Sequence, residues 1–171
     1  MSDLPYNTIP DYPADMNASN IMLRLVDSIG FRYRWATEGL REEDMQFQAC
    51  DSSMDMLELM EHVNGLLNVS EAYITGKDMV PVKDVGLEER RKETLATVIR
   101  MRETLSELDD EYLAKRMYKP PWREGEYPIW TLINGPLSDS LTHVGQIASW
   151  RRIHGNPIPG ANVFDGVPPK S

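Results

Sequence analysis

Apolar residues in this sequence recur at three- and four-residue steps over long stretches, and nowhere alternate over a length that would build a convincing strand. Met22, Leu25, Val26, Ile29, Tyr33, Ala36 and Leu40 form the first such row. At about 100° per residue they fall on one side of a helix. Asn17 precedes the row and can cap the exposed amide groups of the first turn. Arg34 and Glu38 stand one turn apart, and the pattern puts their pairing on the wet side. Gly30 costs a helix up to about 1 kcal/mol against alanine, so its presence predicts a close helix contact or a bend.

A second inward row runs Met56, Leu59, His62 with Val63, Leu66 and Val69. Ser52 is its expected cap, with Asp55 reaching back, and Gly76 in YITGKD its stop. LEERRKETLATVIRMRETLSEL predicts a third helix over residues 87–108, turning Leu95, Val98, Ile99, Leu105 and Leu108 inward. The last helix starts near Pro128, bends where Gly135 and Pro136 break the ladder, and runs to about His154 before Gly155, Asn156 and Pro157. Asn134 offers an alternative, as the cap of a separate helix.

Residues 109–127 read as a long connection with a brief helical piece at DDEYLAKR, covering one end of the helices. Pro5, Pro10 and Pro13 make residues 1–16 an extended arm, and the Pro- and Gly-rich residues 155–171 an irregular tail, pinned by Val163 and Phe164. The expected fold is all-α: an antiparallel four-helix bundle, one domain over residues 1–171.

Charge narrows the partners. The 27 acidic residues outweigh 18 basic ones for a formal charge of -9, which on average repels nucleic acid and anionic membranes. The single cysteine, Cys50, cannot form an internal bridge, the start resembles no signal peptide, and no apolar run reaches the roughly 20 residues that span a bilayer. These features lead us to expect a cytoplasmic protein. There is no GxGxxG, Walker A loop or CxxC, so nucleotide-binding and redox motifs are unsupported. Cys50 reads as an ordinary small residue, and the ten methionines as packing.

Histidine is scarce, three in all, and one lies four residues after an aspartate. Asp139, His143, Gln146 and Trp150 line one face of the last helix within about 40°. The i, i+4 spacing of Asp139 and His143 can offer two ligands to one metal ion, with His62 as the third from another helix. Two imidazoles and a carboxylate suit zinc or nickel and leave room for water or substrate. Plainer roles stay open: Asp139 as a helix-start charge, His143 satisfied by Asp139, His62 as a hydrogen-bonding residue. His154 lies about 16 Å further along and reads as a dipole partner, as do Arg151 and Arg152. Trp150 and Trp130 read as core or dimer-contact residues, with Trp150 also a candidate for the pocket wall.

The stretch SDSLTHVGQIASWRRIHGNPI, with SSMDMLELMEHV around His62, resembles the DinB/YfiT-like superfamily of helical bundles described as metal-dependent hydrolases. The likeness covers most of the chain. Members carry a histidine on the second helix and HxxxHxGQ on the last, and the three histidines hold nickel or zinc. His62 and His143 match two of them, Asp139 stands where the other histidine would be, and Val144 replaces the arginine often found in HRGQ. The resemblance implies a divalent ion held in the bundle core by His62, Asp139 and His143, with Gln146 orienting a ligand. It also implies a homodimer acting on a small molecule by hydrolysis or by thiol-dependent transfer, as members using bacillithiol or mycothiol do. The alternative is a non-catalytic bundle with a degenerate metal site that binds a small ligand.

Overall fold

A computed structural model describes residues 4–120 and 122–170. The first three residues of the expected arm, Pro121 of the connection and Ser171 of the tail lie outside the described residues. The chain is mostly helical: α1 Ala18–Ala36, α2 Met56–Thr75, α3 Leu87–Glu107, α4 Asp110–Lys115, α5 Trp130–Leu132 and α6 Ser138–Ile153. Two strands, β1 Met117–Tyr118 and β2 Tyr127–Pro128, pair antiparallel. At two residues each they are too short to show alternation, which is why the sequence pattern missed them. Among the described residues no helix is long and apolar enough to cross a membrane.

The four long helices share one core. α1 packs on α3 and α6, and α2 packs on the same two partners. The inner row of α2 keeps Met56, Leu59 and Val63 of the expected row and adds Met60 and Leu67, while Leu66 and Val69 are only half-buried. His62 therefore flanks the core row.

Local chemistry explains the helix ends. Asn17 caps α1, its side chain accepting from the Asn20 amide at 2.9 Å. The cap of α2 is Asp55, not Ser52: Asp55 accepts from the Glu58 amide at 2.8 Å, and Glu58 accepts from the Asp55 amide at 2.9 Å. DSSMD offers several cap residues, and the reciprocal box with glutamate three positions on decides between them. Gly76 ends α2 in the left-handed region, φ 73°.

Two expectations about α1 are overturned. Arg34 pairs with Glu38, but not on a wet face: Arg34 is buried. Glu38 also receives Arg91 of α3, so the pair lies between two helices. Burial opposes ionisation of Glu38, yet the bond from Arg91 and the nearby Arg34 charge hold its carboxyl below the usual range. The contact at Gly30 is with the arm rather than with another helix. A Cβ there would stand 2.7 Å from the Tyr6 ring, and the Tyr6 hydroxyl donates to buried Asp27 at 2.8 Å. Burial pushes the Asp27 carboxyl up, with Tyr6 and Arg102 partly offsetting it.

The arm and tail meet. The Ile9 amide donates to the Gly166 carbonyl at 2.9 Å, and Trp35 donates to the Asn7 carbonyl. Val163 packs against the core as expected. Phe164 is 91% exposed and pins nothing.

The end of α6 is fastened by buried Arg151. Its guanidinium donates to the carbonyls of Ala36 and Glu38 at 2.8 and 2.7 Å and to Asn156 O at 3.0 Å. Asn156 in turn donates to Asp44 and to the Gly39 carbonyl. Burial alone would raise the Asp44 carboxyl, but the Arg41 side chain and amide and the Asn156 amide bring it down to about 2.

Gly30→Ala is expected to destabilise the protein by about 1–3 kcal/mol through the clash with Tyr6, although alanine is the better helix former; urea unfolding followed by circular dichroism measures it. Asp44 has a native pKa below its unfolded value, so its stabilisation is complete above about pH 4 and is lost as pH falls towards about 2. Asp44→Asn should be less stable at neutral pH and show a shallower acid limb in the same unfolding series.

Candidate metal centre

The start of α6 is unusual. Ile133–Leu137 forms a widened turn in which Gly135 leaves helical geometry, φ -103° and ψ -105°, next to Pro136, which has no amide hydrogen to give. The bend expected at Gly135–Pro136 is present, and Asn134 caps no separate helix. Ser138 and Ser140 donate to the carbonyls of Ile133 and Pro136 at 2.6 and 2.7 Å. Both hydroxyls thus bond backbone carbonyls at the bend. Widened turns of this kind are frequent at functional sites. Beyond the bend, α6 presents Asp139 and His143 towards α2.

There they meet His62. Asp139 Oδ2 lies 3.6 Å from His62 Nε2, and Asp139 Oδ1 lies 3.4 Å from His143 Nε2. One ligand atom from each residue falls within 4.8 Å of the others, and the two imidazoles stand edge to face with centroids 4.7 Å apart. These separations are too long for charge-assisted hydrogen bonds, which run to about 2.9 Å. The two contacts use different oxygens of Asp139, and with one ligand atom from each residue the three come within 4.8 Å of one another, against the roughly 3.3–3.5 Å between neighbouring ligands placed tetrahedrally about 2.0–2.1 Å from a zinc ion. Three donors therefore converge without closing on one another.

The donor set fits a divalent ion. Gln146 sets the polarity of His143: its Oε1 lies 2.7 Å from Nδ1. With Oε1 accepting, the ring proton sits on Nδ1 and the Nε2 lone pair faces the cluster. That lone pair and the carboxylate would repel each other without a cation or proton between them. Such an outer partner, holding a ligand's tautomer and ring orientation, is the usual accompaniment of a metal-bound histidine.

The side chains of His62 and Asp139 are 41% and 46% exposed, against 13% for His143. The cluster opens to solvent at the seam between α2 and α6, which corrects the expectation of a site inside the bundle core. His62 lands at the mouth because it flanks the α2 core row.

Other predicted residues lie elsewhere. Trp150 is buried among the core residues and serves packing. Trp130 is 73% exposed, so it is no core residue. His154 sits at the end of α6, 3.6 Å from Asp44 and with its ring 4.6 Å from Phe47, where a helix-end role suits it. Arg152 is exposed. Cys50 is exposed, its thiol lowered by hydrogen bonds to Ser52 and Ser53.

The full role of Arg151 was not legible as such, but its signal was the Gly-Asn-Pro stop. Gly155 takes φ 79°, which lets the Asn156 amide return to the Arg151 carbonyl at 2.8 Å. The Asn156 side chain then ties the helix end to the loop after α1.

No model of a known protein family matches the chain, and no curated protein matches it.

Gln146→Leu removes the partner of Nδ1 and leaves the three candidate ligands in place. Zinc affinity measured by calorimetry with a competing chelator is expected to fall by about 10- to 100-fold, with an unchanged far-ultraviolet spectrum.

Proposed function

We propose that this chain is a DinB/YfiT-like four-helix-bundle metalloprotein whose His62, Asp139 and His143 hold a divalent ion, zinc or nickel, for hydrolysis or thiol-dependent transfer on a small molecule. The observation that carries the reading is the convergence of one carboxylate and two imidazoles from α2 and α6, with one ligand atom from each within 4.8 Å of the others and no direct hydrogen bond closing the set.

The chain's own residues divide the work. Asp139 contributes one negative charge, so a dication at the site keeps a net positive charge to attract an electron-rich substrate group. Gln146 holds the proton of His143 on Nδ1 and turns Nε2 to the ion. The exposed edges of His62 and Asp139 leave an open side for substrate. Three protein ligands are the number found in catalytic zinc sites, in which a fourth position stays free. When bound, the ion supplies Lewis acidity, which lowers the pKa of a water or thiol and polarises the group under attack. A carboxylate in place of a third histidine makes the set harder, so it shifts the choice of metal relative to an all-histidine site.

Metal analysis of untagged protein is expected to find about one equivalent of zinc or nickel per chain, and His143→Ala to retain less than about a tenth of it. EDTA should lower the melting temperature of the wild type and leave that of His143→Ala unchanged. Equal, negligible metal in both proteins would remove the reading. Dependence of turnover on an added low-molecular-weight thiol separates transfer from hydrolysis.

A further inference from the structure

The other side of α6 borders a second, unrelated feature. Leu141, Val144 and Ala148 stand roughly 100–160° around the helix from His143, and they form one wall of a cleft of about 340 Å³. Trp35 of α1 forms the opposite wall, and Pro159 and Val163 of the tail roof it. Gly145 keeps it open, with nothing within 4 Å of the place a Cβ would take. The volume lies within the range of about 300–1,000 Å³ typical of small-molecule sites.

Two polar groups interrupt the apolar lining, Ser28 and Arg32, both from α1. Arg32 reaches Ser28 Oγ at a long 3.4 Å. Arg34, Arg41, Arg90, Arg91, Arg100 and Arg102 each pair with a carboxylate. Among the described residues Arg32 forms no such pair, and neither do Arg24, Arg116, Arg123, Arg151 and Arg152; of these six, Arg32 is the one that lines this cleft. A guanidinium without a carboxylate partner beside an apolar wall is complementary to a hydrocarbon ending in an anion that accepts two parallel hydrogen bonds.

We propose that this cleft binds a small amphipathic carboxylate, its chain along Leu141, Val144, Ala148 and Val163 and its head on Arg32 and Ser28. The site is independent of the proposed metal centre. It is built from three segments, α1, α6 and the tail, and the roof is held in place where Ile9 bonds Gly166.

Calorimetric titration with sodium octanoate, below its micellar concentration and in the presence of EDTA, tests the assignment. Wild type and His143→Ala should show the same single saturable site. Arg32→Gln should weaken binding by about tenfold or more, and 1-octanol, with the same chain and no charge, should bind the wild type correspondingly more weakly. Ala148→Phe should abolish the site; because it could instead disturb packing, Arg32→Gln at a half-exposed position is the deciding variant, with thermal melting as the check on folding. Absence of saturable binding to the wild type, undiminished affinity in Arg32→Gln, or equal affinity for octanol would overturn the proposal. Binding lost in His143→Ala but retained in Arg32→Gln would place the carboxylate at the histidines and overturn it too.

Discussion

The seating of α6 rests on one buried guanidinium. Arg151 reaches across to the carbonyls that end α1 and just follow it, and folds back on Asn156. Backbone carbonyls at a helix end have no intrahelical partner, so a cation placed there satisfies acceptors and opposes the negative end of the dipole at once. Hydrogen bonds to charged groups contribute about 1.5–3 kcal/mol each, and a broken set leaves buried acceptors unmet. This anchor fixes both the rotation and the axial position of α6. Two turns earlier, the same rotation turns His143 towards α2 and Val144 towards α1.

The polar interior follows a common rule: each buried charge belongs to a junction between elements. Glu38 joins Arg34 of its own helix to Arg91 of α3. Asp44 joins the loop after α1 to Asn156 beyond α6. Asp27 receives Tyr6 from the arm and lies 3.1 Å from Arg102 of α3. Neutral groups extend the pattern through the middle, where Thr94 meets both Tyr33 and Asn64, and Thr97 meets Asn68. Burial pushes the Tyr33 phenol up to about 12, so it stays protonated and can donate at any physiological pH.

Much of the helical scaffold was legible because its signals are local. Periodicity set α3 to within a residue, Asn17 and Gly76 marked the ends of two helices, and Gly135 with Pro136 marked the bend. The i, i+4 pair of Asp139 and His143 needed only helical geometry to be seen. What failed to show in the sequence depends on partners distant along the chain. The burial of Arg34 with Glu38 depends on α3 packing over α1 and bringing Arg91 to the same carboxylate, and the solvent exposure of Trp130 depends on where the bend points it. His62 reads as an inward residue because apolar spacing of three and four leaves more than one continuation open, and packing keeps Met56, Leu59 and Val63 but goes on through Met60 and Leu67. That choice placed an imidazole at a solvent-facing seam rather than in sealed interior.

The bond between Ile9 and Gly166 joins the two peripheral segments into a belt around α1 and α6. Its geometry is tight: any side chain at Gly166 would collide with Ile9, and φ there is 66°. A belt closed by one hydrogen bond and one interlocked pair transmits slack in both directions. Peptides appended to or trimmed from either strap should be felt by the other, so hydrogen exchange in the two straps ought to rise and fall together as a single mechanical unit.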